Sequence, residues 1–266
     1  MNVIITILGI LIVIGLLLTI FKGVSLSTFF NWEAIIIIFG GTACGLLLSY
    51  PIERLKDTIS TLKKAFNTHN DRDTTIENIL TISRLYRKSE IKSLERLAGC
   101  MDNGFLKLSV YLLINNHKTQ DIKTILEREM NTRIISLHSN QNVLKTGARL
   151  APSLGLAGTV ISLIKMFSNM TTIEAMMPMM AVALMSTFYG VIFSNLLFMP
   201  LSVKIKDMAD AEEAEMLTII EGIVSIANGE HTLKIEERLR NDWINGEEQN
   251  LAVSSHLSTA VAKGRL

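Results

Sequence analysis

Cysteine is almost missing from this sequence of 266 residues: there are two, Cys44 and Cys100. They lie far apart and outside any CxxC spacing, so neither a disulfide framework nor a thiolate metal site is expected, only two reduced thiols. Charge is scarce as well. Charged residues make up 19% of the chain against 48% hydrophobic residues, less than a soluble domain of this size carries. The net charge of +1 and the lack of basic–aromatic interleaving give no reason to expect nucleic acid as a partner. HExxH, nucleophile-elbow and phosphate-loop patterns are missing, and His69, His117, His138, His231 and His256 are scattered. We therefore expect no catalytic residues, no metal site and no enzyme.

What the chain does have is long apolar runs, clustered rather than spread through one core. The first covers residues 3–21, enough to cross a bilayer at roughly 1.5 Å rise per residue. It lacks a basic leader and a small-x-small cleavage site, and further runs follow, so it reads as a span and not as a signal peptide. The second, 34–50, is stopped by Pro51 and contains GGTACG, with Gly41 and Gly45 four apart for close helix approach. The third covers about 150–167 and the fourth about 179–203.

Between the second and third runs the sequence turns polar and helical in period, through IERLKDTISTLKKAF, TTIENILTISRLYRK and TQDIKTILEREMNTRIISLHSNQNVL. Thr74-Thr75-Ile76-Glu77 has capping-box spacing and predicts a helix start. After the fourth run, ADAEEAEMLTIIEGIVSIANGE predicts a helix that stops near Gly229, and LKIEERLRNDWI an amphipathic piece. Residues beyond Trp243 have no periodicity and are expected to be disordered. The expected fold is all-α: an integral membrane protein with four transmembrane helices and a helical cytoplasmic domain. Its divisions are 1–50 (two spans), 51–147 (cytoplasmic domain), 148–203 (two spans) and 204–266 (cytoplasmic helices and tail).

Basic residues orient these spans. Arg54, Lys56, Lys63 and Lys64 follow the second, Lys145 and Arg149 precede the third, and Lys204 and Lys206 follow the fourth, whereas the short linkers hold only Lys22. The positive-inside rule then puts both termini and the large loop in the cytoplasm.

Two spans carry stripes of small residues. Gly147, Ala151, Gly155 and Thr159 recur at four-residue steps, and Ala183, Thr187, Gly190 and Ser194 share one helix face, with Ser186 and Asn195 at its margins. Such stripes allow helices to pack closely, with hydroxyls bonding back to their own carbonyls; alternatively they receive another helix or line an ion path. Conduction meets an objection, because no Asp or Glu lies inside any of the four runs. Glu33 and Glu174 sit at the margins, and Lys165 is near enough to a span end to snorkel. Ion sites in membranes normally rely on an ionisable residue. If the chain conducts, the carboxylate comes from another polypeptide, and the stripe is the socket for that polypeptide's helix.

At this point RLAPSLGLAGTVISLIKMF, ALMSTFYGVIFSNLLFMPLSVK and IIEGIVSIANGE, in this order with GGTACG ahead of them, resemble the MotA/PomA family, the larger stator subunit of the bacterial flagellar motor. The resemblance runs from Met1 to about Arg240. It implies a chain of the bacterial inner membrane, five copies of which form a ring around two single-span MotB/PomB-type partners whose aspartate carries the ion. It implies that Pro152 and Pro200 couple ion binding to movement, since a proline removes a backbone donor and bends a helix. It also implies that Arg87 and Glu95, with Lys88, Lys92 and Arg96 sharing the task, face opposite charges on the rotor protein FliG, for steering and register more than affinity. The family pattern has a glycine where this chain has Glu90, so the local turn is expected to differ.

The ion pathway and partner-helix face is thus assigned to Thr159, Ser186, Thr187, Gly155, Ala183, Gly190 and Ser194. Hydroxyls at Thr159, Ser186 and Thr187 suit sodium as neutral ligands; sodium-driven members resemble this chain at Thr159 and Thr187 but carry threonine at the place of Ser186, so proton and sodium both stay open, with no cofactor besides the transported ion. Two other readings remain: a TolQ/ExbB-type channel, which has three spans and an outward N-terminus, and a scaffold that conducts nothing.

Overall fold

The computed structural model describes residues 30–67, 72–101, 103–168 and 172–240. The expected first span, Lys22, His69, His256 and the tail beyond Trp243 lie outside these residues. Regular structure among the described residues is helical: α1 (Trp32–Ser49), α2 (Ile52–Asn67), α3 (Arg72–Arg87), α4 (Ile91–Cys100), α5 (Gly104–Ile114), α6 (Thr119–Ser168), α7 (Ile173–Ile192), a π-helical turn (Phe193–Phe198), α8 (Met199–Ala227) and α9 over 232–240. Among the described residues, three stretches are long and apolar enough to cross a membrane: Trp32–Ser49, Thr119–Ser168, and the run Met176–Ala227 through the π turn.

Two compact units divide the chain. One holds residues up to Ile59 together with Asn140–Val203, the other Ser60–Ser139 together with the residues from Lys204 on. The sequence reading instead set its boundaries after residues 50 and 147. The polar residues 51–59 and 140–147 belong with the apolar helices because they bond among themselves and to α1: the Tyr50 hydroxyl is 2.9 Å from Thr146 Oγ1, and Thr58 Oγ1 is 3.5 Å from Asn140 Oδ1.

In the first unit, α1 starts at Asn31, whose side chain accepts from the Ala34 N–H at 3.2 Å, and ends at Tyr50, which is extended (φ −138°, ψ 144°) because the following Pro51 disfavours a helical residue before it. The Gly41–Gly45 face of α1 meets α6. A methyl built on Gly41 lies 3.0 Å from Leu154 Cδ1, and one on Gly45 lies 2.8 Å from Leu150 Cδ1.

The second unit has an ordinary apolar core. Ile79, Ile82, Leu94, Phe105, Leu106, Leu126, Ile219 and Ile223 are each at most 1% exposed, and each contributes roughly 1.5–3 kcal/mol by leaving water. Three helix ends are closed in the same way. Ser89 (φ 59°), Asn116 (φ 55°) and Gly229 (φ 75°) are left-handed, and each is flanked by the paired reverse bonds of a Schellman cap, for example Glu90 N–H to Leu85 O and Ser89 N–H to Tyr86 O. The expected stop near Gly229 is thereby observed.

Other expectations are corrected. α3 begins at Arg72, two residues before Thr74, so the capping-box sequence lies inside the helix; Thr75 Oγ1 donates instead to Glu215 Oε1 at 3.0 Å. The third polar pattern and the third span are one helix of 50 residues, with Pro152 in its interior.

Candidate functional site

The two small-residue stripes face each other within one chain. A methyl on Gly190 sits 2.7 Å from the Ala151 carbonyl oxygen and 3.2 Å from the Cα atoms of both Pro152 and Gly155; one on Gly155 sits 2.9 Å from the Ser186 carbonyl oxygen. Ala151, Ala183, Ser186 and Ser194 are buried at the same contact. Within the chain, Gly155 and Gly190 let α6 and α7 approach to backbone contact. Ser186, also buried, donates to its own helix at Val182 O (2.8 Å).

Thr159 and Thr187 are different. Both are half-buried, and their hydroxyls lie 2.6 Å apart, across α6 and α7. Thr159 Oγ1 also reaches Gly155 O at 3.0 Å and Ala183 O at 3.2 Å. Four neutral oxygens thus meet inside an apolar helix pair. Such a cluster offers neutral ligands to a proton or cation, and ion paths in membranes commonly pair such ligands with an ionisable group.

Two to three turns nearer the basic residues Lys145 and Arg149 is a feature that sequence reasoning did not isolate. Pro152 has no N–H, so the carbonyl four residues earlier, Ala148, loses its helical partner. The Ser194 hydroxyl takes the empty place, donating to Ala148 O at 2.7 Å. This is how a proline is tolerated inside a membrane helix: a hydroxyl from the next helix satisfies the freed group. Ser194 itself belongs to the π turn, whose wider bond runs from the Met199 N–H to Ser194 O, directly ahead of Pro200. Asn195 Nδ2 adds a bond to Val191 O at 3.1 Å. π turns recur at functional sites and mark a locally adjustable helix. Beside it, Gly147 leaves room for the Phe198 ring, which a methyl there would approach to 2.7 Å. Subtracting four from the position of Pro152 would have pointed to Ala148 in the sequence; its donor depended on the fold. Another residue the sequence did not flag is Thr42, whose buried hydroxyl has no hydrogen-bond partner among the described residues and borders a 110 Å³ cavity with Phe39, Phe193 and Phe198.

In the second unit Arg87, Lys88, Lys92, Glu95 and Arg96 are all exposed around the α3–α4 turn. The turn's left-handed residue is Ser89, while Glu90 has φ −84°, so the missing family glycine at Glu90 costs no strain there. Deeper in this unit Glu215 Oε1 accepts from Thr75 Oγ1 and from Asn103 Nδ2 (2.9 Å), and Asn103 Oδ1 caps α5 at Phe105 N and Leu106 N. Burial raises the pKa of neighbouring Glu212, opposed by Arg133, reinforced by Glu215 and opposed again by Lys64.

Apolar helices joined through glycines, with clustered hydroxyls and no Asp or Glu in residues 34–50, 150–167 and 179–203, are the marks of a multi-pass membrane protein of the channel-subunit class. The sequence matches the model of the MotA/TolQ/ExbB proton channel family over residues 96–218. It is 31% identical over 233 residues to motility protein A of Aquifex aeolicus, covering 85% of this chain and 91% of that one. It is 30% identical over 221 residues to motility protein A of Borreliella burgdorferi, covering 82% and 85%. The fold is shared with the flagellar MotAB stator complex from Bacillus subtilis, with a TM-score of 0.78 at 24% identity over 88% of this chain and 93% of that chain. This chain belongs to the MotA/TolQ/ExbB proton channel family, among its motility protein A members.

Proposed function

We infer that this chain is the larger subunit of a flagellar stator, an ion-channel subunit that converts ion flow into torque. The observation that carries the mechanism is the Thr159–Thr187 hydroxyl pair, 2.6 Å apart, in apolar stretches (150–167 and 179–203) that hold no Asp or Glu. A MotB-type partner with one span supplies the missing aspartate, in keeping with the MotAB complex whose fold this chain shares.

The steps follow from electrostatics. Arrival of the ion neutralises the partner's carboxylate, removing the large cost of a bare charge in an apolar site. The neutral side chain then passes the half-buried hydroxyls, and release to the cytoplasm restores the charge. Pro152 and Pro200 adjoin the adjustable segment: the Ser194–Ala148 bond compensates Pro152 and the π turn ends just ahead of Pro200, so a small change in helix register is absorbed there without breaking the α6 ladder. On this reading four spans cross the bacterial inner membrane, both termini are cytoplasmic, five copies form the ring, and Arg87 and Glu95, with Lys88, Lys92 and Arg96, meet the rotor protein FliG.

The test is to express the chain with a MotB-type partner in cells lacking their own stators and to replace Thr159 and Thr187 by valine. Swimming should be restored by the native chain and almost abolished by the double variant, while the partner still copurifies with both. Swimming of the double variant at the native speed would refute the role of the hydroxyl pair.

A further inference from the structure

Lys145 and Arg149 stand one helical turn apart on α6, immediately before its apolar part. They border a cleft of 680 Å³ whose other polar lining includes Asn142, Tyr50 and Asn195. Both cations are exposed, no carboxylate lines the cleft, and neither has an ion-pair partner among the described residues. One wall is fixed: the Tyr50 hydroxyl meets Thr146 Oγ1 at 2.9 Å and donates to the Asn142 carbonyl at 3.3 Å. The opposite wall carries Met199, and Ser194 and Ala148, the two ends of the bond that compensates Pro152, also border the cleft.

Three features select the ligand. Two unpaired cations with amide and hydroxyl donors recognise an anion with several oxygens. The cleft opens where apolar helices end: α1 stops one residue before Tyr50, and Leu47 and Leu48, just inside that end, are 53% and 90% exposed. Basic pockets between membrane helices at this level suit phospholipid headgroups, with acyl chains covering the apolar flank. The volume matches a headgroup and is far larger than an inorganic ion requires. We propose that this cleft binds the phosphate of an anionic phospholipid on the cytoplasmic side and that the bound headgroup braces the Ser194–Ala148 contact. The inference rests on the membrane orientation given above, but its test needs no motility.

The full chain, purified with and without its MotB-type partner, is placed in nanodiscs of phosphatidylcholine containing a minor fraction of phosphatidylglycerol, and the lipid retained after extraction is read by native mass spectrometry. Phosphatidylglycerol should be enriched on the native chain. Lys145→Gln or Arg149→Gln should each weaken retention about fivefold and the pair about 25-fold, from ~1 kcal/mol per basic side chain near an anionic surface. Lys145→Arg should retain it, which separates lost charge from lost folding. Inorganic phosphate at millimolar levels should not displace the lipid. Equal retention of both lipids, unchanged retention in the double Gln variant, or displacement by inorganic phosphate each overturns the proposal. Retention by a chain that never captures a partner would refute the stator reading alone, and a swimming stator without lipid preference would refute this inference alone.

Discussion

The two units of this chain are built on opposite plans. In the unit of α3–α5, the first part of α6 and the later part of α8, large apolar side chains are inside: Phe105, Leu126, Ile219 and Ile223 are nearly inaccessible. In the unit of α1, α7 and the rest of α6, many large apolar side chains are outside, with Leu48, Leu156, Ile164, Phe167 and Leu184 between 59% and 90% exposed, and small residues such as Ala151, Ala183, Ser186 and Ser194 share the interior with a few larger ones such as Ile38 and Met166. The first plan is held by transfer of apolar groups from water. The second has no such force between its helices and depends on close backbone approach and on satisfying its backbone polar groups. Volume errors and lost hydrogen bonds should therefore cost more in the second plan than in the first.

The sharpest way to break that contrast is a matched pair of glycines. Gly190→Ala drives a methyl against the Ala151 carbonyl and two Cα atoms, none of which can turn aside, whereas Gly222→Ala meets the Ile79 side chain, Cγ2 at 2.6 Å. We expect a loss of about 3 kcal/mol for the first and about 1 kcal/mol for the second, read as thermal unfolding of the purified complex in detergent. Equal losses would remove the distinction.

A hydrogen bond offers the next test. Ser194→Ala should cost about 1–3 kcal/mol, because the Ala148 carbonyl freed by Pro152 is then unpaired. In a Pro152→Ala background the helix regains its own donor, and the same serine substitution should cost almost nothing. A double-mutant cycle by unfolding in detergent measures this coupling; additive losses would contradict the compensation.

Smaller effects belong to the water-facing plan. Ser89→Gly relieves a left-handed serine at the end of α3 and should stabilise by about 1 kcal/mol, seen as a higher midpoint of thermal unfolding with the Schellman bonds intact. For Glu212 the sign follows from burial, which favours the protonated form in the fold. The stability it permits is full below the ordinary carboxylate range and falls as pH rises through its raised value. Glu212→Gln should flatten that fall and stabilise at neutral pH by less than about 1 kcal/mol; an unchanged pH profile would show that the carboxyl carries no such burden.

Much of this architecture was legible in the residues. The apolar runs marked α1, the end of α6 and α7, since no water-facing helix needs so many apolar residues in a row, and Gly229 marked the end of α8 because a left-handed position favours glycine. The stripes were legible as faces, but their occupant was not: Gly155 and Gly190 fit an external helix or each other equally well on spacing alone, and only the fold puts Gly190 against Ala151. The capping-box spacing at Thr74 misled because the helix already begins at Arg72, two residues upstream. Ser89 was hidden because serine carries no left-handed preference, and only the fold shows that this turn takes φ 59° there.

The central claim is that this chain supplies neutral oxygens and takes its carboxylate from a second polypeptide. Ion flux into liposomes is the direct measurement, with the chain alone, with an unplugged MotB-type partner, and with that partner's ion-carrying aspartate changed to asparagine. The account predicts flux only in the second preparation; flux through the chain alone, or undiminished flux with the asparagine partner, would contradict it.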